Sequence, residues 1–234
     1  MGTGPIFIGG LSFSGKTPLR LMLASHPNIA LTRRTKMWPR YYGRYGDLAR
    51  PARFERCLAD MLRDKHIRAL APDPQRIRRE FWAGEPTYAR LFALFHQHFA
   101  ERLGKARWGD QLGFVERYAE PIFAAFPEAR LIHMVRDPRE RYAESVPPGR
   151  RRRGKLGWDT ARWLHSVGLA ARNRRRFPER YLVVRYEALV AQPEATLRAV
   201  CAFLDEPFAP AMLAPEGAGE GPPPTREERA AAPI

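Results

Sequence analysis

Cysteine is scarce in this chain of 234 residues: Cys57 and Cys201 are the only two, and both sit at apolar positions of helical periodicity. That excludes a disulfide framework and a cysteine-based zinc site. No apolar run approaches the roughly twenty residues needed to span a bilayer. Acidic residues are in the minority, with 25 Asp and Glu against 40 Lys and Arg, a net charge of +15. The excess favours polyanionic ligands: nucleotides, sulfated or phosphorylated molecules, nucleic acid or an acidic membrane surface. No nucleic-acid recognition module appears, so specific nucleic-acid binding is not expected, whereas peripheral contact with acidic surfaces fits the charge. No internal repeat is evident. The first strand begins within a few residues of Met1, which predicts no signal peptide and a cytoplasmic protein. Hydrophobic residues make up 44% of the chain, enough for the core of one α/β domain.

The most informative stretch runs from Pro5 to Leu23. Ile6-Phe7-Ile8 reads as a buried strand, Gly9-Gly10 as a turn, and Pro18 to Ala24 as an apolar helix. Between them, Gly10, Gly15, Lys16 and Thr17 match G-x-x-x-x-G-K-[ST]. Such a loop presents successive backbone N–H groups, a helix N-terminus and a lysine to an anion. A phosphate-like group is therefore expected here.

Further along, Ile29 to Leu31 suits a short strand after Pro27, and His26 stands where it would cap the preceding helix. Thr32 to Lys36 and the aromatics Trp38, Tyr41, Tyr42 and Tyr45 follow. They serve either to bind a base, sugar or acidic acceptor, or to cover the next helix. Residues 50–107 read as helices, with one apolar stripe through Phe54, Cys57, Leu58, Met61 and Leu62 and another through Tyr88, Leu91, Phe92, Phe95 and Phe99. Trp108 to Gly113 reads as a loop. Ala129 to Val135 is a second clear buried strand. It ends in Arg136, where a magnesium-binding Walker-B aspartate would otherwise close the run, and this favours an anion held by arginine without metal. A helix to Ser145 and a basic loop over Pro147–Lys155 follow. A long helix then starts near Asp159 with Trp163, Leu164, Val167 and Ala171 expected inward. Tyr181 to Val184 is a third buried strand, and Pro193 opens a final helix. The pattern predicts an α/β fold: a three-layer sandwich about a central parallel sheet, one domain over 1–214, a helical acceptor-side insertion near 47–107 and a flexible tail over 215–234.

Four segments together resemble the PAPS-dependent sulfotransferases, particularly their bacterial and tyrosylprotein-sulfotransferase-like branch. They are Gly10 to Pro27, similar to the 5′-phosphosulfate loop; Val135 to Arg139 with Ser145, similar to the 3′-phosphate motif; Tyr181 to Leu189 with Gln192-Pro193; and Leu197 to Leu204 with Glu206-Pro207-Phe208. The resemblance implies a P-loop-type fold and transfer of SO₃ from PAPS to a hydroxyl or amine of a small molecule, glycan or peptide. It leaves PAP as product and needs no metal. It implies that Ser12, Phe13, Ser14, Gly15, Lys16, Thr17 and Pro18 surround the phosphosulfate. Arg136 and Ser145, helped by Arg150 or a neighbour, would hold the 3′-phosphate, and Tyr186 would contact the nucleotide. Lys16 is the expected stabiliser of the leaving group. Asp110, His26 and Glu116 are candidate bases.

The chain departs from the family pattern at named places. Phe13 stands where the family usually has Arg or Lys, Lys16 where it has Thr, Arg34 where a glutamate often acts as base, and Gln111 where a lysine is common. Ser145 lies nine residues after Arg136, whereas the usual eight would select Glu144. Two other readings remain open on the sequence: an ATP- and magnesium-dependent small-molecule kinase, and a non-catalytic nucleotide- or polyanion-binding relative.

Overall fold

The computed structural model describes residues 3–145 and 155–215. Arg150, most of the basic loop and tail residues 216–234 lie outside the described residues. The chain runs β1 (Ile6–Gly10), α1 (Lys16–Ala24), β2 (Ile29–Arg33), α2 (Met37–Tyr41), α3 (Pro51–Arg63), α4 (Lys65–Arg68), α5 (Pro74–Trp82), α6 (Tyr88–Arg102) and β3 (Arg107–Gln111). After a 3₁₀ turn at Val115–Tyr118 come α7 (Ala119–Ala125), β4 (Arg130–Val135), α8 (Pro138–Ser145), α9 (Lys155–Arg176), β5 (Tyr181–Arg185), α10 (Tyr186–Ala191) and α11 (Pro193–Leu204).

The five strands form one parallel sheet in the order β2-β3-β1-β4-β5. Alternation along β1 explains why both faces are covered. Ile6 and Ile8 point into a core with Leu19, Leu23, Ile132, Met134, Leu197 and Leu204. Phe7 points the other way, into a core with Trp38, Phe54, Phe92, Phe95 and Leu131. The second core is built largely by α3 to α6, where Phe54 stacks on Phe81 at 4.1 Å. Asp64, Asp73 and Thr87 cap α4, α5 and α6 through their side-chain oxygens. The two apolar stripes read from the sequence are the faces that these helices bury, with Leu62 and Tyr88 at the margin.

Three expectations need correction. Trp108-Gly-Asp-Gln is not a loop: it belongs to β3, between β1 and β2, with Gly109 opposite Ile6 and Leu31. Arg107 and Asp110 are buried there against tertiary partners. Arg107 donates to the carbonyl of Gly4 and pairs with Glu206 at 3.1 Å. On α9, Leu164 points outward and Ala171 is exposed. The buried face there runs instead through Asp159, Ser166, Leu169, Ala170 and Asn173, a stripe whose polar members meet other elements: Ser166 bonds His133 of β4 at 2.9 Å, Asn173 donates to the Glu116 carbonyl at 2.8 Å, and Asp159 lies 3.6 Å from Arg141. The aromatics after β2 divide: Trp38 and Tyr41 are core, and only Tyr42 is notably exposed.

Chain order and sheet order diverge at β1. The chain leaves β1 for β2 on one side, returns to β3, then crosses to β4 on the other. This is the switch point at which open parallel sheets place a crevice beyond the strand C-termini.

Candidate active site

A cavity of about 550 Å³ lies at that crevice. Every strand contributes to it through the loop that follows: Ser12, Phe13, Gly15, Lys16, Thr17 and Pro18 after β1; Arg34, Lys36 and Pro39 after β2; Gln111, Gly113, Phe114, Arg117 and Tyr118 at and after β3; Arg136 and Glu144 after β4; Tyr186 after β5. Its described lining carries five cations, Lys16, Arg34, Lys36, Arg117 and Arg136, and a single carboxylate, Glu144.

The loop after β1 is held in a conformation that few residues tolerate. Gly10 has φ +117° and Gly15 φ +86°, and Phe13 adopts φ 65°. Arg34, Lys36 and Phe114, all on the lining, also have positive φ. Such residues cost of order 1–3 kcal/mol each and gather where geometry serves binding. From below, Glu116 fixes the loop: its fully buried carboxylate accepts from the Gly10 N–H at 3.0 Å. A side chain at Gly9 would collide with that carboxylate.

Lys16 is buried at the start of α1 and donates through Nζ to the Leu11 carbonyl. Burial pulls its pKa down to about 8. The Glu116 charge opposes that fall, while Arg34, Arg141 and Arg162 add to it.

Arg136 leaves the end of β4 with its guanidinium 4.3 Å over the Tyr186 ring. Its Nη1 donates to the Phe13 carbonyl at 3.3 Å and to the Glu144 carboxylate. The turn is pinned twice. Trp163 on α9 donates to the Arg136 carbonyl at 2.9 Å, and the Asp137 N–H donates to Glu187 at 2.7 Å. Tyr186 also lies against the loop after β1: a Cβ at Gly15 would sit 2.2 Å from its ring. Tyr186 and Glu187 therefore join the loop after β1 to the loop after β4.

Ser12, Phe13, Gly15, Lys16, Thr17, Pro18, Arg136 and Tyr186 thus share one cavity. Ser14 is buried behind the loop. Ser145 is not on the lining; its hydroxyl donates to the Tyr142 carbonyl at 2.8 Å, and Glu144 takes the cavity position. One residue along a helix turns the side chain by about 100°, which separates the two. Asp110 is fully buried away from the lining, accepting from Thr32 at 2.8 Å and from Thr35, with His96 at 3.8 Å. His26 lies at the far end of α1, about 13 Å along the helix from the loop. It accepts from the Asn28 N–H at Nδ1, so Nε2 donates to the Pro207 carbonyl at 2.8 Å. Its role in this fold is to fasten the segment after α11. Lys36 belongs to the loop after β2 that the sequence offered for binding, whereas Arg117, Phe114, Tyr118 and Gly113 were passed over. Their signal was position alone: each follows the C-terminal end of a strand flanking β1 or β3.

Comparison with known proteins decides the family. The model of the family described as "Sulfotransferase family" matches residues 5–210. The chain belongs to the sulfotransferase family. A curated relative, the protein-tyrosine sulfotransferase of Drosophila melanogaster, is 26% identical over 219 residues, which cover 89% of this chain. The chain spans about two fifths of that relative's length, 39%. Among solved structures, the sulfotransferase domain of the Synechococcus PCC 7002 olefin synthase superposes with a TM-score of 0.63 at 23% identity, covering 92% of this chain and 78% of that one. The sulfotransferase domain of the curacin biosynthetic pathway gives 0.60 at 21%, covering 99% and 83%. A sulfotransferase from Alicyclobacillus acidocaldarius gives 0.51 at 19%, covering 98% and 90%. These structures show the same fold.

Family membership and the parallel sheet agree with the resemblance read from the sequence. The kinase reading is not favoured. No helix among the described residues is long and apolar enough to cross a membrane.

Proposed function

We propose that this chain transfers a sulfuryl group from PAPS to a hydroxyl or amine acceptor. The observation that carries the reading is the cavity lining: five cations and one carboxylate, gathered around a phosphate loop at the sheet's switch point. The residues suit PAPS in kind. The loop amides, Thr17 and Lys16 face the position of a 5′-phosphosulfate. Arg136, with the Tyr186 ring beneath it, supplies a guanidinium for a 3′-phosphate. Glycines at 10 and 15 let the backbone approach closely.

PAPS supplies an activated sulfuryl group with PAP as its leaving group, and charge accumulates on the departing phosphate as the bond breaks. Lys16 stabilises that charge more as it grows, which lowers the barrier rather than only tightening binding. Phe13, at the position of the usual family cation, carries no charge, so Lys16 takes over from the other end of the loop. Glu116 holds Gly10, and through it the loop, in place. None of Asp110, His26 and Glu116 reaches the described lining, which also has no histidine. An acceptor that is nucleophilic without a base, a phenol that ionises at about pH 10 or an amine attacking through its lone pair, therefore suits this cavity better than an alkyl alcohol. Arg34 and Lys36, which line the cavity after β2, favour an acceptor with negative charge.

Calorimetry with PAP, ADP and ATP, each with and without magnesium, tests the reading. PAP is expected to bind most tightly and without dependence on magnesium. Magnesium-dependent binding of ATP with no measurable binding of PAP would overturn it.

A further inference from the structure

Arg136 carries its own counter-ion. Glu144, near the end of α8, reaches its guanidinium, and Glu140, one turn earlier on the same helix, approaches Nε at 3.5 Å. The two sides of the Arg136–Glu144 pair are not equally fixed. Arg136 is largely buried, seated on the Tyr186 ring, bonded to the Phe13 carbonyl and pinned through its own backbone. The Glu144 carboxylate lies at the cavity mouth, about 30% exposed, and among the described residues Arg136 is its only partner. The guanidinium is thus a fixed anion receptor, and the carboxylate is a movable anion resting on it.

We infer that Glu144 stands in for the 3′-phosphate of the nucleotide: it neutralises Arg136 in the empty cavity and rotates to solvent when the phosphate takes its place. The inference rests on the PAPS reading of the site. A carboxylate left beside a phosphate dianion repels it, and the exchanged ion pair must be given up. Glu144 therefore lowers affinity only for nucleotides that carry a 3′-phosphate. Nucleotides with a free 3′-hydroxyl leave the Arg136–Glu144 pair undisturbed. Both the donor and its spent product carry the 3′-phosphate, so this residue sets how loosely PAP is held after transfer, a step that often limits turnover.

Glu144→Gln removes the charge at nearly constant size, at an exposed position where folding is not at stake. Calorimetry at one salt concentration should show PAP binding roughly three- to thirtyfold more tightly to the variant than to wild type, with ADP changed by less than about twofold. Glu140→Gln, one turn earlier and more distant, should change PAP binding less than Glu144→Gln does. An unchanged ratio of PAP to ADP affinity, with wild type still binding PAP, overturns the inference and leaves the functional reading standing. Weaker ADP binding in Glu144→Gln also overturns it, because the carboxylate would then be accepting from a ribose 3′-hydroxyl. Failure of both wild type and variant to bind PAP removes the functional reading and the inference together.

Discussion

Replacing Lys16 by Met should slow turnover sharply yet leave the protein no less stable, and the burial of Lys16 sets the stability side. The ammonium is buried, and its pKa falls from 10.5 to about 8. At 1.36 kcal/mol per pKa unit, holding that charge in the folded protein costs about 3 kcal/mol at neutral pH. Methionine keeps the length of the stem and removes the charge, but leaves the Leu11 carbonyl without its donor, a loss of about 1–3 kcal/mol. The balance lies between about 0 and 2 kcal/mol of added stability, or roughly 0–8 °C in Tm for a domain of this size. The pH dependence gives the sign independently. The folded value lies below the unfolded one, so between about pH 8 and 10.5 the unfolded chain holds the extra proton. Wild-type stability should rise with pH in that window as the burial cost fades, relative to the Met variant, which lacks this contribution. Activity should move the other way. Loss of one preorganised electrostatic donor lowers kcat by about 10²–10³. In the wild type, kcat/KM for PAPS should fall above about pH 8 as Lys16 loses its proton, with the kcat limb at higher pH because a bound anion favours the charged form. Differential scanning calorimetry and PAP-release rates over pH 6–10 make the measurement. A Met variant that melts well below wild type, or turns over at the wild-type rate, would refute the argument.

Gly15→Ala should weaken PAP binding by about tenfold or more, since φ +86° is unfavourable for alanine and its Cβ would displace Tyr186 from the loop and from Arg136; an unchanged Kd would show that Tyr186 does not organise the site. Arg136→Ala should cost PAP about 1.5–3 kcal/mol and ADP far less, and equal losses for the two would remove the 3′-phosphate from Arg136. Asp110→Ala strands the buried hydroxyls of Thr32 and Thr35 and should lower Tm, at about 2–4 kcal/mol, while leaving PAP affinity within about threefold; lost turnover at an unchanged Tm would make Asp110 a chemical group instead.

Much of this arrangement was legible in the residues. The phosphate loop announces itself because glycines and Lys-Thr at fixed spacing have few other uses between a buried strand and an apolar helix. β4 and β5 are apolar runs, and Arg136 at the end of β4 marks the crevice. β3 was hidden because Arg107, Asp110 and Gln111 look like loop chemistry, and only the tertiary partners Glu206, Thr32 and Thr35 make them a strand. Asp110 and His26 drew attention as titratable groups, and their hydrogen bonds spend both on structure. Ser145 was selected by residue type where helical rotation selects Glu144. Lys36, Arg117 and Phe114 reach the cavity through backbone turns with positive φ or through a 3₁₀ turn, which no periodicity foretells.

The most direct test of the account is transfer itself. Wild-type protein incubated with PAPS carrying ³⁵S in the sulfuryl group, a panel of phenols, amines and alkyl alcohols, and no added magnesium should label an acceptor and release PAP in equal amount, with Lys16→Met falling by the factor given above. No labelled acceptor and no PAP released, alongside magnesium-dependent transfer of the γ-phosphoryl group of ATP to a member of the same panel, would contradict it.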